Sequence, residues 1–269
     1  MTSQSSMPLP LSVVIIAKNA ERHLPRCLTS VADIAKEIIL VHNDCTDRTV
    51  EIAQGFNAKT IDQSWLGYRE QKNFALENAT QPWVLSLDAD EELSLDLKQS
   101  IIQFVTVDQT DFAGGYFSRV TWFMGRWIKH GTWYPDHNLR LIRRGLGRWI
   151  GGAIHEKLEV DGAIKKLSGD LMHYPYRDMK DQIIKMVGYS DLYLEQQKDA
   201  GKRWSAWGTM LRSIWFFFRS YILKLGFLDG YPGLYIAWGG TFSTLLKHSR
   251  LYEKHHHTEF PKAVSYTHL

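Results

Sequence analysis

Apolar runs and helical stripes alternate over the first 110 residues. Residues 11–17 (LSVVIIA) are a nearly continuous β-branched run, the pattern of a strand buried on both faces. Across residues 21–35 the apolar positions are Leu24, Leu28, Val31 and Ala35, a helical spacing. Residues 37–41 (EIILV) predict a second buried strand, and 42–47 a polar loop opening a helix through Glu51 to Gln54. A third short strand fits 58–61, a helix 68–79, and a fourth strand 83–87. Ser94 predicts the cap of a helix reaching Val105, with Leu97, Ile101 and Phe104 on one face. Strands alternating with helices predict βαβ units and a parallel sheet. Such sheets bind ligands beyond the carboxyl ends of their strands. The loops after the first, second and fourth strands are therefore expected to share one site.

The second half reads differently. Residues 116–122 are a strand-like aromatic run, and 138–144 alternate apolar with polar, again a strand. That period puts Arg140 and Arg143 on opposite faces, so only one can point into a site. Residues 178–198 predict a charged amphipathic helix. After Gly201 large aromatic and aliphatic residues crowd together, interrupted by Arg212, Arg219 and Lys224; Arg212 and Arg219, seven apart, share a helix face. The longest uncharged stretch, 230–246, carries Pro232 and falls short of the roughly 20 mainly apolar residues a spanning helix needs. A helical appendage lying in a lipid headgroup region is expected; the competing reading packs it on the sheet or on a second subunit. The expected organisation is a domain at 1–176, with a nucleotide half at about 11–110 and an acceptor half at about 111–176. A helical region follows at 177–254, and a tail at 255–269 lies outside the fold.

Candidate chemistry centres on residues 83–92, WVLSLDADEE, where an apolar strand ends in crowded carboxylates. Such groups repel one another and call for a cation; a divalent metal held by one or two carboxylates and by substrate phosphates satisfies them. The competing reading is a solvated acidic helix start. Asn43, Asp44 and Asp47 offer acceptors to a ribose or base, while Gln71, Lys72 and Asn73 open a helix where phosphate could sit. Gly151 and Gly152 let the backbone approach a ligand ahead of two titratable groups, His155 and Glu156. The net charge of +3 is too mild to imply nucleic acid. Two cysteines make no framework, which suits a reducing compartment, and residues 1–10 lack a signal pattern, so export is not expected.

Taken together, LSVVIIAKNAERHLPRCLTSV, EIILVHNDCTDRTVEIA, EQKNFALENAT and WVLSLDADEE resemble the family 2 inverting glycosyltransferases of GT-A fold. Within that family the chain is similar to the lipopolysaccharide core glucosyltransferases. The resemblance implies an α/β fold with a mainly parallel, Rossmann-like central sheet flanked by helices, here with a C-terminal amphipathic helical appendage. It implies a UDP-sugar donor, UDP-glucose foremost, and a lipid A-linked acceptor in the inner-core heptose region. The place of action would be the cytoplasmic face of the inner membrane. Asp88 and Asp90 would hold Mg2+ or Mn2+, with the late His173 returning to the metal. Ala17, Asn19, Asn43, Asp44, Gln71, Lys72, Asn73, Asp88, Arg140 and Arg143 would serve the donor, and Trp127, Trp133 and His155 the acceptor. Glu156 is the expected general base, with Asp136 second. One departure stands out: His42 occupies the place where the family usually has an acidic residue directly after the second strand. Two alternatives remain open. A sugar-phosphate nucleotidyltransferase would want glycines that residues 17–20 lack, and a non-catalytic membrane-associated scaffold would bind nucleotide sugar without turnover.

Overall fold

The computed structural model describes residues 8–107, 111–152, 156–196 and 204–256. His155 and most of the expected tail, 257–269, lie outside them. The chain forms two compact units, Met1–Arg177 and Asp178–Leu269.

The first unit opens with β1 (Leu9–Ala17), α1 (Leu24–Val31), β2 (Ala35–His42), α2 (Thr49–Gly55), β3 (Lys59–Asp62), α3 (Tyr68–Glu77) and β4 (Trp83–Asp88). It continues with β5 (Glu91–Leu93), α4 (Leu95–Thr106), β6 (Gly114–Phe123), β7 (Arg126–Ile128), β8 (Asp136–Arg143), β9 (Gly147–Ile150), β10 (Lys157–Val160) and β11 (Ile164–His173). The main sheet runs β3-β2-β1-β4-β8-β6-β11-β5, with β7 folded back on β6; β9 and β10 pair separately. The four strands from β3 to β4 are parallel, as the alternating pattern predicts. The second half is mixed: β8 is antiparallel to both β4 and β6, and β11 is parallel to β6. The expected GT-A architecture is the one observed, with both halves sharing one continuous sheet.

The β-branched run of β1 is buried on both faces, as a central parallel strand requires. Leu11, Val13 and Ile15 face one core with Leu24, Leu28 and Leu85, while Val14 faces the other with Ile39, Val41 and Val84. Helix α1 is shorter than its stripe implies. Pro25 sets its first turn, and Ala35 belongs to β2 instead. Strand β5 was not foreseen. It pairs antiparallel with β11, Glu91 opposite His173, so the acidic run folds straight back into the sheet.

The second unit holds α5 (Met179–Gln196), α6 (Ala206–Phe218), a π turn over Arg219–Leu223, a 3-10 turn over Gly226–Asp229, and α7 (Gly230–His256). Ser205 caps α6 by accepting from the Gly208 amide at 3.2 Å. Tyr235 donates to Gln182 at 2.9 Å and Arg250 to Ser190 at 2.6 Å, tying α7 to α5. Helix α7 extends through His256, so the expected tail begins later than residue 255. Among the described residues, no helix is long and apolar enough to cross a membrane.

Leu85, fully buried at the middle of β4, fixes the strand that delivers Asp88. Leu85→Ala is expected to cost about 2–5 kcal/mol, read as a lower urea midpoint at unchanged slope. An unchanged midpoint would show that β4 is not held by this core.

Candidate active site

Parallel register sets Ile16 beside Asp88 and Ala17 beside His42, so the chain leaves β1, β2 and β4 at one edge of the sheet. The first two exits are clasped together. Asn19, at φ +50°, accepts from the Thr46 amide at 2.8 Å; the Ala20 amide donates to Thr49 at 2.7 Å, and the Glu21 amide to Asp47 at 3.0 Å. Asn43 is buried and donates to Asp44 at 3.3 Å, while Asp44, at φ +43° and largely exposed, faces Lys18 at 3.4 Å. His42 lies 3.8 Å from Asp62. Asn19 therefore shapes this loop through its backbone partner, and Asp44 is the loop's exposed carboxylate. Ala17 contributes its carbonyl, which faces the Cys45 thiol at 4.0 Å.

The third exit carries the charges. Asp88 meets Lys72 at 3.1 Å and Arg140 at 2.9 Å. Burial pushes the Asp88 carboxyl up, but Lys72 and then Arg140 outweigh that and hold it well below the usual carboxylate range. Lys72 also reaches Glu156 at 3.4 Å. One buried ammonium thus joins the acidic strand end to the carboxylate expected to act as base. Glu91, only 1% exposed, accepts from the Asp88 amide at 2.9 Å, from Arg140 at 3.1 Å and from Arg119 at 3.2 Å. Arg119 in turn holds Asp136 at 2.8 Å; burial disfavours its charge, but Glu91 and Asp136 prevail and raise its affinity for the proton.

Trp149, on β9, is the wall behind this network. Its ring lies 4.3 Å from the Lys72 ammonium and 5.3 Å from the Arg140 guanidinium. Asn73 pins it, donating to the Trp149 carbonyl at 3.0 Å and accepting from its amide at 2.8 Å. Gln71 is likewise spent on the backbone, donating to the Gln63 carbonyl at 3.2 Å and accepting from the Leu66 amide at 3.4 Å. Of the three polar residues at the start of α3, only Lys72 reaches the acidic site; Gln71 and Asn73 hold its frame instead of facing phosphate. Arg143 is also away from the network. It donates to the Phe112 carbonyl at 3.0 Å and lies 4.5 Å over Trp83, on the face of β8 opposite Arg140.

Beyond the carboxylates stands an aromatic wall. Trp127 packs 5.2 Å from Tyr174 and 5.1 Å from Trp122; Trp133 packs 5.1 Å from Phe123 and 5.8 Å from Tyr176. Tyr174 donates to Glu92 at 3.0 Å, and burial with that carboxylate pushes its hydroxyl up to about 12. Behind Asp88, the buried Cys27 thiol points at the Asp88 carbonyl at 3.7 Å; burial and then Glu91 push it well above the usual thiol range.

The donor set for a metal is partial. His173 Nε2 lies 3.7 Å from Asp90 Oδ2, and Asp90 follows two residues after Asp88, the last residue of β4. Among the described residues, no group of three or more His, Cys, Asp or Glu converges as a cage. Carboxylates with one imidazole fit an ion that takes its remaining ligands from water and substrate oxygens, the habit of Mg2+ with phosphates. Glu91, Arg119 and Trp149 were not singled out from the sequence. Signals existed: Glu91 alternates with the buried Leu93, and Arg119 is a lone cation within an apolar strand.

Residues 12–158 match the model of glycosyl transferase family 2. The chain is 31% identical over 254 residues to the lipopolysaccharide core biosynthesis glycosyltransferase LpsC of Rhizobium meliloti, covering 92% of this chain and 93% of that one. It is also 31% identical to an uncharacterized glycosyltransferase of Rickettsia typhi, covering 90% and 87%. Among solved structures, S. aureus TarS 1–349 in complex with UDP-GlcNAc aligns with a TM-score of 0.46 at 15% identity, over 87% of this chain and 81% of that one.

Two consequences are measurable. The depressed Asp88 carboxyl contributes stability that is complete above its unfolded value near pH 3.9 and is lost as the pH falls toward the folded value. Asp88→Asn should cost about 3–5 kcal/mol at pH 7 by leaving Lys72 and Arg140 short of an anion. Its denaturation curve should converge on the wild-type curve as the pH drops below about 4; parallel curves would contradict the ion pairing. Asn73→Ala strands two backbone groups of Trp149 and should cost about 2 kcal/mol, seen as a lower melting temperature that Asn73→Asp only partly restores.

Proposed function

The chain belongs to glycosyl transferase family 2, and from that premise we propose that it transfers glucose from UDP-glucose to the inner-core heptose region of lipopolysaccharide. The lipopolysaccharide core is taken from the likeness to LpsC, whose length the chain covers almost entirely, and the heptose region from the motif resemblance. The donor follows the motif resemblance. The observation that carries the reading is Lys72, which lies within 3.1 Å of Asp88 and 3.4 Å of Glu156. It brings the donor-side carboxylates and a base to one place.

Transfer with inversion is a single in-line displacement. It needs a base on the acceptor hydroxyl and positive charge where the nucleoside diphosphate departs. Glu156 takes the acceptor proton, its carboxylate set by Lys72. Asp136 is the weaker candidate, because Arg119 holds it through both Nε and Nη2 at 2.9 and 2.8 Å. Lys72 and Arg140 supply fixed positive charge beside Asp88. Asp88, Asp90 and His173 would hold a divalent metal, which supplies Lewis-acid stabilisation of the leaving diphosphate. Asp44 and Asn43 line the loop that would meet the nucleoside, with His42 in place of the usual acid. The faces of Trp127 and Trp133 suit a sugar acceptor. A lipid-anchored acceptor places the reaction at the cytoplasmic face of the inner membrane, with the C-terminal helices at its surface.

The test is transfer from a panel of nucleotide sugars to truncated core lipopolysaccharide, with Mn2+ or EDTA. Turnover from UDP-glucose alone, abolished by EDTA and by Asp90→Ala, is the expected result. Glu156→Gln should lower kcat by about 10^2-fold or more with little change in KM, and Asp136→Asn by far less. The reverse order would transfer the role of base to Asp136, and a panel without turnover would leave only a binding scaffold.

A further inference from the structure

Helix α6 is built inside out. Its buried positions are small and polar, Thr209 and Ser213, joined by Ser220 in the π turn that continues it. Its large apolar side chains point the other way: Trp207 (72% exposed), Leu211 (63%), Ile214 (58%), Trp215 (55%) and Phe218 (44%), continued by Ile222 (43%) in the π turn. Steps of three and four residues make these one stripe along the helix. On the inner side α7 offers glycine: a Cβ at Gly240 would collide with the Phe216 ring, and one at Gly233 with the Gly226 carbonyl. A helix that packs in water shows the opposite order, apolar inside and polar outside. Small residues between helices with large apolar ones outward is the order found in lipid.

The stripe does not stop at α6. Phe217, at its edge, packs 4.8 Å from Trp238, and Trp238, Phe242 and Leu245 form an exposed stripe on α7. The turn between the helices exposes Leu225, Phe227 and Leu228. Charge runs beside it. Arg212 and Arg219 are exposed along one flank of the α6 stripe. Residues 204–256 hold six Lys or Arg against Asp229 and Glu253; Asp229 is buried and Arg250 is paired with Asp191 of α5, so the exposed cations flanking the stripe are Arg212 and Arg219.

We propose that α6, the following turns and the α7 stripe form a membrane-binding surface that lies in the plane of an anionic bilayer. The α6 stripe enters the acyl boundary, and Arg212 and Arg219 sit at the level of the lipid phosphates. The positive balance selects an anionic surface over a second copy of the chain, which would bring the same charge. This rests on the membrane part of the function proposed above and deepens it, naming the face and the lipid class; it is independent of donor and metal.

The test uses the full chain and vesicles of phosphatidylcholine, alone or mixed with phosphatidylglycerol, with the bound fraction read by flotation. Wild type should bind the mixed vesicles and bind phosphatidylcholine weakly. Arg212→Gln with Arg219→Gln should weaken binding to mixed vesicles by about 30-fold, the effect of two surface cations. Leu211→Glu with Trp215→Glu should abolish binding to both, a loss of about 100-fold or more. All of these positions are exposed, and both double variants should keep the wild-type rate of UDP-glucose hydrolysis. Two results overturn the proposal. One is binding unchanged in the Leu211/Trp215 variant. The other is a wild-type dimer by light scattering that ignores vesicles and becomes monomeric in that variant. Vesicle binding without any turnover would instead sink the glycosyltransferase mechanism and leave this surface standing.

Discussion

The site depends on one buried exchange of charge: Asp88 and Glu91 against Arg140. Each ion would cost several kcal/mol to bury alone, and together they are tolerated only because their hydrogen bonds are shared. Glu91 does most of the sharing. It ties the Asp88 amide, Arg140 and Arg119 in one carboxylate, so the end of β4, the middle of β8 and β6 are locked in register by electrostatics as well as by backbone pairing. From that knot the rest of the site is hung. Lys72 reaches out from it to Glu156, Arg119 reaches out to Asp136, and Trp149 closes its back.

This arrangement divides the polar residues of helix α3: Lys72 joins the carboxylates at the strand ends, while its neighbours Gln71 and Asn73 make the frame. Asn73 and Gln71 look like ligand-binding amides in isolation, yet each satisfies backbone groups that would otherwise be buried without partners. Asn73 fixes the Trp149 backbone, while the ring itself is packed in the second core with Val84, Ile142 and Leu158. The paired strands β9 and β10 therefore matter in two ways, since β9 carries the wall and Glu156, directly before β10, faces Lys72.

Much of the fold was legible because β1, β2 and β4 are nearly pure apolar runs and the helices between them show clean stripes. The strand-end rule pointed to one edge of the sheet as the candidate site without any side-chain geometry. What stayed hidden was what pairing decides. Alternation with Leu93 hints that Glu91 and not Glu92 turns inward, but only the pairing of β5 with β11 seals it. Arg140 and Arg143 were separable by period alone, but which faced the site depended on β8 running between β4 and β6. Trp149 was unreadable, since its place comes from a two-stranded element outside the main sheet. Boundaries moved where local chemistry intervened, as with Pro25 at the start of α1.

The two thiols meet different fates in this structure. Cys27 is buried behind Asp88 with its proton held first by burial and then by Glu91 and the neighbouring acids, and an un-ionised thiol is a poor nucleophile. Cys45 is half-buried, in the loop that joins β2 to α2 beside the end of β1. A thiol-directed dye or spin label would therefore go to one position without any engineering, and that position is in the loop proposed to meet the nucleoside. A label there would report on the environment of that loop, with the second cysteine silent enough not to interfere with it.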